Sequence, residues 1–152
     1  VRIEAPGTLD GGDVLRVGRA LYVGESGRSN AAGIAQLASA IAPFGYRTMG
    51  VPLRGCLHLK SAVTCVGPDT LLINEAWVDR SHWPGKRFIA TATEEPHAAN
   101  SLLIGETLVD AASAPRTRER LEAAGLRVVA LDVSEIEKAE GGVTCCSVLF
   151  EA

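Results

Sequence analysis

A thiol, an imidazole and a carboxylate stand out from this chain because each lies close to glycine in a short, unusual stretch. Cys145 sits in Gly141-Gly142-Val143-Thr144-Cys145-Cys146-Ser147, ahead of the apolar run Val148-Leu149-Phe150. His58 sits in Gly55-Cys56-Leu57-His58-Leu59-Lys60-Ser61, and Asp10 in Leu9-Asp10-Gly11-Gly12-Asp13. Glycine lets the backbone turn tightly, and a cysteine at the mouth of a strand after such a turn can face a cleft. If folding brings the three side chains together, they form a Cys/His/acid set, the arrangement of nucleophilic catalysis by a thiolate.

The elements that must position them follow from periodicity. Asp13 to Val17 reads as a strand, Gly18-Arg19 as a turn, and Ala20 to Val23 as the hairpin partner. Asn30 is the expected N-cap of a helix from Ala31 toward Ala42, with Ile34, Leu37, Ala38 and Ile41 on one face. Pro43 and Gly45 end it, and Tyr46 to Val51 is a further strand. The order then recurs. Leu15 to Val23 matches Leu102 to Asp110 in kind, and Phe44 to Met49 matches Ala124 to Val129. Between these units, Ser61 to Val66 and Thr70 to Ile73 form a second hairpin about Gly67-Pro68-Asp69. Glu75 to Trp83 is expected as a short helix and Arg87 to Thr93 as a strand. A helix from Pro115 to Ala124 and a strand from Val128 to Val133 complete the third unit, and Cys145 to Phe150 would begin a fourth. A repeated module of about forty residues implies a radial or a solenoid arrangement. In a radial one the glycine-rich segments converge near the axis, and Asp10, His58 and Cys145 can meet. A straight solenoid would keep them apart, and the pattern leaves both open.

Bulk properties narrow the class. The 152 residues suffice for one core, and one domain over 1–152 is expected. An apolar fraction of 47% with 22% charged residues is ordinary globular composition. A net charge of -3 with no basic block argues against nucleic acid or an anionic membrane as partner. The apolar runs are far too short to span a bilayer, and no basic-then-apolar leader is read at the start. Cys145 and Cys146 are adjacent while Cys56 and Cys65 stand singly in apolar context, so free thiols in a reducing cytoplasm are expected. Without a C-x-x-C pair, and with His82 and His97 in loop-like surroundings, neither a metal nor a cofactor is expected.

Four ordered stretches carry a resemblance: Thr8 to Leu15, Arg28-Ser29-Asn30, Leu57 to Ser61 and Thr144 to Ser147. Together they resemble the dimethylarginine dimethylaminohydrolase family of the guanidine-modifying, or pentein, superfamily, which also holds arginine deiminases and amidinotransferases. The similarity runs over nearly the whole chain. It implies an α/β propeller of ββαβ modules, with about three of five modules present and the N-terminal ones absent. It implies Cys145 as nucleophile, His58 as general acid and base, and Asp10 as the carboxylate partner. It also implies Arg28 as the anchor for the substrate carboxylate and the Ala139 carbonyl against the substrate amine. The activity implied is hydrolysis at the guanidinium carbon of free methylated arginine, through a cysteine thiouronium adduct, to citrulline and an alkylamine. The implied partners are methylated arginine or arginine, the missing N-terminal segment, and a second copy in a homodimer.

Plainer readings stand beside these. Cys56 and Cys65 are core thiols by default, and Cys146 points away from Cys145 if the segment is a strand. Asp13 is expected to brace the glycine turn. Arg116, Arg118, Glu119 and Arg120 look like the wet face of a helix. Arginine deiminase or amidinotransferase is the nearest enzymatic alternative. A non-catalytic partial propeller whose open edges pair with a missing segment is another, since uncovered strands are adhesive. A thiol redox or zinc-responsive protein built on Cys145 and Cys146 is the third.

Overall fold

The computed structural model describes residues 2–149. Three three-stranded sheets follow one another along the chain, each an antiparallel hairpin whose second strand pairs in parallel with a third. In the first module β1 (Val14–Val17) and β2 (Ala20–Glu25) turn about Gly18, whose φ of +59° lies in the left-handed region glycine tolerates. Helix α1 (Ala31–Ile41) starts where Asn30 accepts the Gly33 N–H, and Pro43 with left-handed Gly45 stops it before β3 (Arg47–Pro52).

The second module holds a four-residue helix that periodicity did not suggest, α2 (Leu59–Ala62), so the strand expected from Ser61 begins later, as β4 (Val63–Cys65). β5 (Thr70–Ile73) follows, and β6 (Arg87–Ala90) is shorter than expected. The helix expected over Glu75 to Trp83 is not there. Asn74 caps a turn through the Ala76 N–H, Asp79 caps a 3-10 turn at Arg80–His82, and these side-chain turns take the place of a helical ladder. The third module has β7 (Leu102–Ile104), β8 (Thr107–Ala111), α3 (Pro115–Ala123) and β9 (Arg127–Leu131), then the single turn α4 (Ser134–Glu137). The strand expected from Cys145 is also absent. Residues 143–146 form a turn, and no described strand lies beside 145–149 to supply a ladder; Phe150 is outside the described residues.

Register makes the modules equivalent residue by residue. Ala20, Thr70 and Thr107 each open a middle strand opposite Arg47, Arg87 and Arg127. Counting on from those pairs, Tyr22, Leu72 and Val109 are equivalent, as are Met49, Ile89 and Val129. Side chains alternate across a sheet, and the alternation decides what each face meets. Leu15, Tyr22 and Met49 of the first sheet join Val63, Leu71, Ile73 and Phe88 of the second in one core. Tyr22 and fully buried Trp83 meet there at 5.1 Å between ring centroids. Leu72 and Ile89, on the other face of the second sheet, join Leu108, Leu121 and Val128 in the next core. The corresponding face of the third sheet carries Ile104, Val109, Val129 and Leu131. Ile104, Val129 and Leu131 remain 49%, 42% and 45% exposed. Among the described residues no helix is long and apolar enough to cross a membrane.

Candidate active site

The site is built where the first and second modules meet. Asp10 caps the 3-10 turn Gly11–Asp13, accepting the Gly12 N–H at 2.8 Å. Its other neighbours are an imidazole and a guanidinium: His58 Nε2 lies 3.4 Å from Oδ1 and Arg28 Nη1 lies 3.8 Å from Oδ2. The Gly12 N–H holds the Asp10 carboxyl below its ordinary range; burial opposes the effect, and His58 and Arg28 add to it. Three of the sequence-expected residues therefore form one cluster.

His58 is buried and precedes α2, so the helix start fixes its backbone. Its ring rests directly on Gly12. A Cβ at Gly12 would lie 2.6 Å from His58 Cγ, closer than carbon atoms approach, so the glycine is a requirement of the imidazole rather than of the turn. The 3.4 Å separation from Asp10 is an ion-pair distance when the imidazole is protonated, without hydrogen-bond alignment, and neither ring nitrogen has an aligned partner among the described residues.

Cys145 is exposed, in the turn after Gly141-Gly142. Asn100, on the segment leading into β7, holds that turn: it accepts the Thr144 N–H at 2.9 Å, and its Nδ2 lies 3.9 Å from Cys145 Sγ. Gly142 lets Asn100 approach, since a Cβ there would stand 2.7 Å from Asn100 Cγ. Ser147 closes the turn on the Val143 and Thr144 carbonyls. Among the described residues no hydrogen bond joins Cys145 to His58. A cavity of about 840 Å³ has among its walls Gly55, Cys56 and Leu57, which precede His58 in sequence, and Gly141, Gly142 and Val143, which precede Cys145; Asp10, Arg28, His58 and Cys145 are not among its lining residues. Glu94, Glu95, Glu137 and Glu140 also line it, which gives an acidic wall. Ala139 is exposed one residue before Glu140, whose φ of +57° turns the chain toward the glycine pair.

The other thiols differ in setting. Burial pushes both Cys56 and Cys65 up to about 11, with Asp13 adding at Cys56 and Lys86 opposing at Cys65, so neither supplies thiolate at neutral pH. Both pack against the first core, Cys146 is exposed, and all four cysteines are free. Among the described residues no cluster of histidine, cysteine and carboxylate has metal-binding geometry. Periodicity did not mark Ser26, Ser29 or Asn100, whose side chains hold the loops around Arg28 and Cys145. Ser29 carried a signal as part of Arg28-Ser29-Asn30, whereas Asn100 had none, because its bonds reach a segment 44 residues away.

Known proteins place this geometry in context. No family model matches the chain. It is 49% identical over 144 residues to the N(G),N(G)-dimethylarginine dimethylaminohydrolase of Streptomyces coelicolor, covering 94% of this chain and 55% of that protein. It is 38% identical over 149 residues to the enzyme of the same name from Pseudomonas aeruginosa, covering 98% of this chain and 59% of that one. A solved structure of the Pseudomonas enzyme, a cysteine-to-serine variant complexed with citrulline, superposes with a TM-score of 0.89 at 37% identity, covering 95% of this chain and 56% of that one. An amidinotransferase from Microseira wollei shares the fold at a TM-score of 0.84 and 16% identity, over 95% of this chain and 50% of that one. The chain thus spans a little over half the length of the curated relatives it matches.

Proposed function

Over the length it spans, the chain is a homologue of the dimethylarginine dimethylaminohydrolases, and from that premise we propose that it carries the nucleophile and proton-transfer groups of a hydrolase acting on methylated arginine. The observation that supports this most is the convergence of Asp10, His58 and Arg28 from three separate segments; residues just before His58 and just before Cys145 line a common cavity.

A guanidinium is cationic and resonance-stabilised, so attack on its central carbon needs a strong, oriented nucleophile. Asp10, kept ionised by Gly12, His58 and Arg28, attracts the guanidinium nitrogens through charge-assisted hydrogen bonds. The acidic wall favours the same cation. Cys145 as thiolate adds to the guanidinium carbon, forming the C–S bond. His58 gives its proton to the substituted nitrogen as the C–N bond breaks, releasing the alkylamine and leaving a thiouronium on Cys145. Water then attacks that carbon while His58 takes its proton. The C–S bond breaks as the oxygen's second proton passes to solvent, where the released amine takes it up; citrulline leaves, and the thiolate is restored. Arg28 anchors the substrate carboxylate and the Ala139 carbonyl receives its amine. None of these steps draws on a metal or an organic cofactor, and a reducing cytoplasm suits four free thiols.

The partner belongs to the same proposal. The exposed face with Ile104, Val109, Val129 and Leu131 is equivalent to faces that each preceding module buries against its successor. A further module of the same build, from polypeptide preceding Asp10, is the occupant we propose; a second copy of the chain in a homodimer is the competing one.

The test is to express the chain alone and joined to the relatives' preceding segment, and to measure citrulline from methylated and unmethylated arginine. Citrulline from the methylated substrate, lost in Cys145→Ser, supports the reading. Turnover that survives Cys145→Ser, or activity confined to unmethylated arginine, contradicts it.

A further inference from the structure

The side chain that ties the cluster together is none of those with a proposed chemical role. Asp13 is fully buried, and its carboxylate accepts three hydrogen bonds from two distant segments. Ser26 Oγ donates to Oδ2 at 2.6 Å and Ser29 Oγ donates to the same oxygen at 2.7 Å, while the Leu59 N–H donates to Oδ1 at 3.0 Å. Each donor adjoins a site residue. Ser26 and Ser29 bracket the loop that bears Arg28, Ser29 Oγ also accepts the Asp10 N–H at 2.9 Å, and Leu59 follows His58. Gly24 clears the space, since a Cβ there would stand 2.9 Å from Asp13 Oδ1.

Hydrogen-bond stoichiometry makes this a task for a carboxylate alone. Ser26 Oγ accepts the Arg28 and Ser29 N–H groups, which fills both its acceptor sites and leaves its one hydrogen for Asp13. Ser29 Oγ likewise accepts from Asp10 and points its hydrogen at Asp13. All three groups facing Asp13 are therefore donors. An asparagine would set its NH₂ against either the two hydroxyls or the Leu59 N–H, so both flips place donor against donor.

We propose that Asp13 is a positioning residue that fixes the Arg28 loop and the His58 turn relative to Asp10. The mechanistic consequence rests on the roles given above to His58 and Arg28; the geometric one does not.

The test compares near-isosteric Asp13→Asn with Val128→Ala, a core truncation on β9 of the third module. In the 152-residue chain, amide hydrogen exchange at Arg28, Ser29 and Leu59 should accelerate about tenfold or more in Asp13→Asn, as expected for loss of local protection. Val128→Ala should leave those amides alone, and the NMR resonances of the His58 ring should move only in Asp13→Asn. In an active polypeptide, Asp13→Asn should lower kcat and raise KM together, whereas Val128→Ala should change neither at temperatures where it is folded. Unchanged exchange at Arg28 and Leu59, or His58 resonances moved equally by both variants, overturns the proposal. Absence of wild-type turnover would instead refute the hydrolase reading, and exchange with the His58 resonances would still decide the role of Asp13.

Discussion

Two adjacent glycines should respond in opposite ways to the same added methyl group. At Gly12, a Cβ would stand 2.6 Å from His58 Cγ and 2.8 Å from Cδ2 and Nδ1, whereas at Gly11 it would meet nothing within 4 Å. Neither glycine has a positive φ, so alanine is sterically acceptable to both backbones. Carbon atoms settle at about 3.5 Å, so Gly12→Ala must push the imidazole back by about 0.9 Å. Misplacing a reacting group by that much costs about a hundredfold in rate, equivalent to about 2.7 kcal/mol of barrier. Stability should move less. A gain of up to about 1 kcal/mol from stiffening the unfolded chain opposes roughly 1–3 kcal/mol of crowding, and each net kcal/mol shifts Tm by about 2–4 °C. Citrulline assays and thermal melts on both variants, with the His58 ring followed by NMR, make the comparison. A Gly12→Ala protein within threefold of wild-type activity, with its His58 resonances unmoved, would refute the claim that this contact sets the imidazole.

Other consequences can be checked separately. Burial pushes the Asp110 carboxyl up to about 6 from 3.8, with the Ala111 N–H opposing. A folded value raised above the unfolded one means that stability is fully present below about pH 4 and declines as pH rises toward about 6. The shift corresponds to about 3 kcal/mol, so Asp110→Asn should flatten that decline in urea titrations at several pH values. Asn100→Ala removes the acceptor of the Thr144 N–H; it should cost about 1 kcal/mol of stability and about tenfold in turnover by loosening the Cys145 turn, read by citrulline release. Thr117→Val strands the buried Ala92 N–H and should cost about 1–3 kcal/mol in chemical denaturation. Leu131→Lys on the exposed sheet face should weaken association with a separately supplied preceding segment by at least about tenfold, measured by calorimetry, while leaving the Tm of the isolated chain nearly unchanged.

Much of this arrangement was legible from residue order. Local signals carried the modules: Gly18 at a hairpin, Asn30 at a cap, Pro115 at a first turn, and the match of Leu15–Val23 to Leu102–Asp110. Expectations failed where side chains replaced backbone ladders. Asn74 and Asp79 turned a supposed helix into capped turns, and Asn100 with Ser147 held Cys145 in a turn where an apolar run suggested a strand. Proximity of His58 to Gly12 was beyond reach of pattern, because it depends on how two modules pack rather than on either stretch alone. The same holds for Asp13, which reads locally as a turn residue yet bonds to Leu59 across 46 positions.

The most direct test of the account is chemical capture at the sulfur. An active polypeptide containing this chain, mixed with methylated arginine and quenched in acid within the first turnover, would be digested and its cysteine peptides weighed by mass spectrometry. The account predicts a thiouronium adduct on the peptide holding Cys145, and none on Cys56, Cys65 or Cys146. Citrulline formed at full rate with no adduct at Cys145, or an adduct on another cysteine, would contradict it.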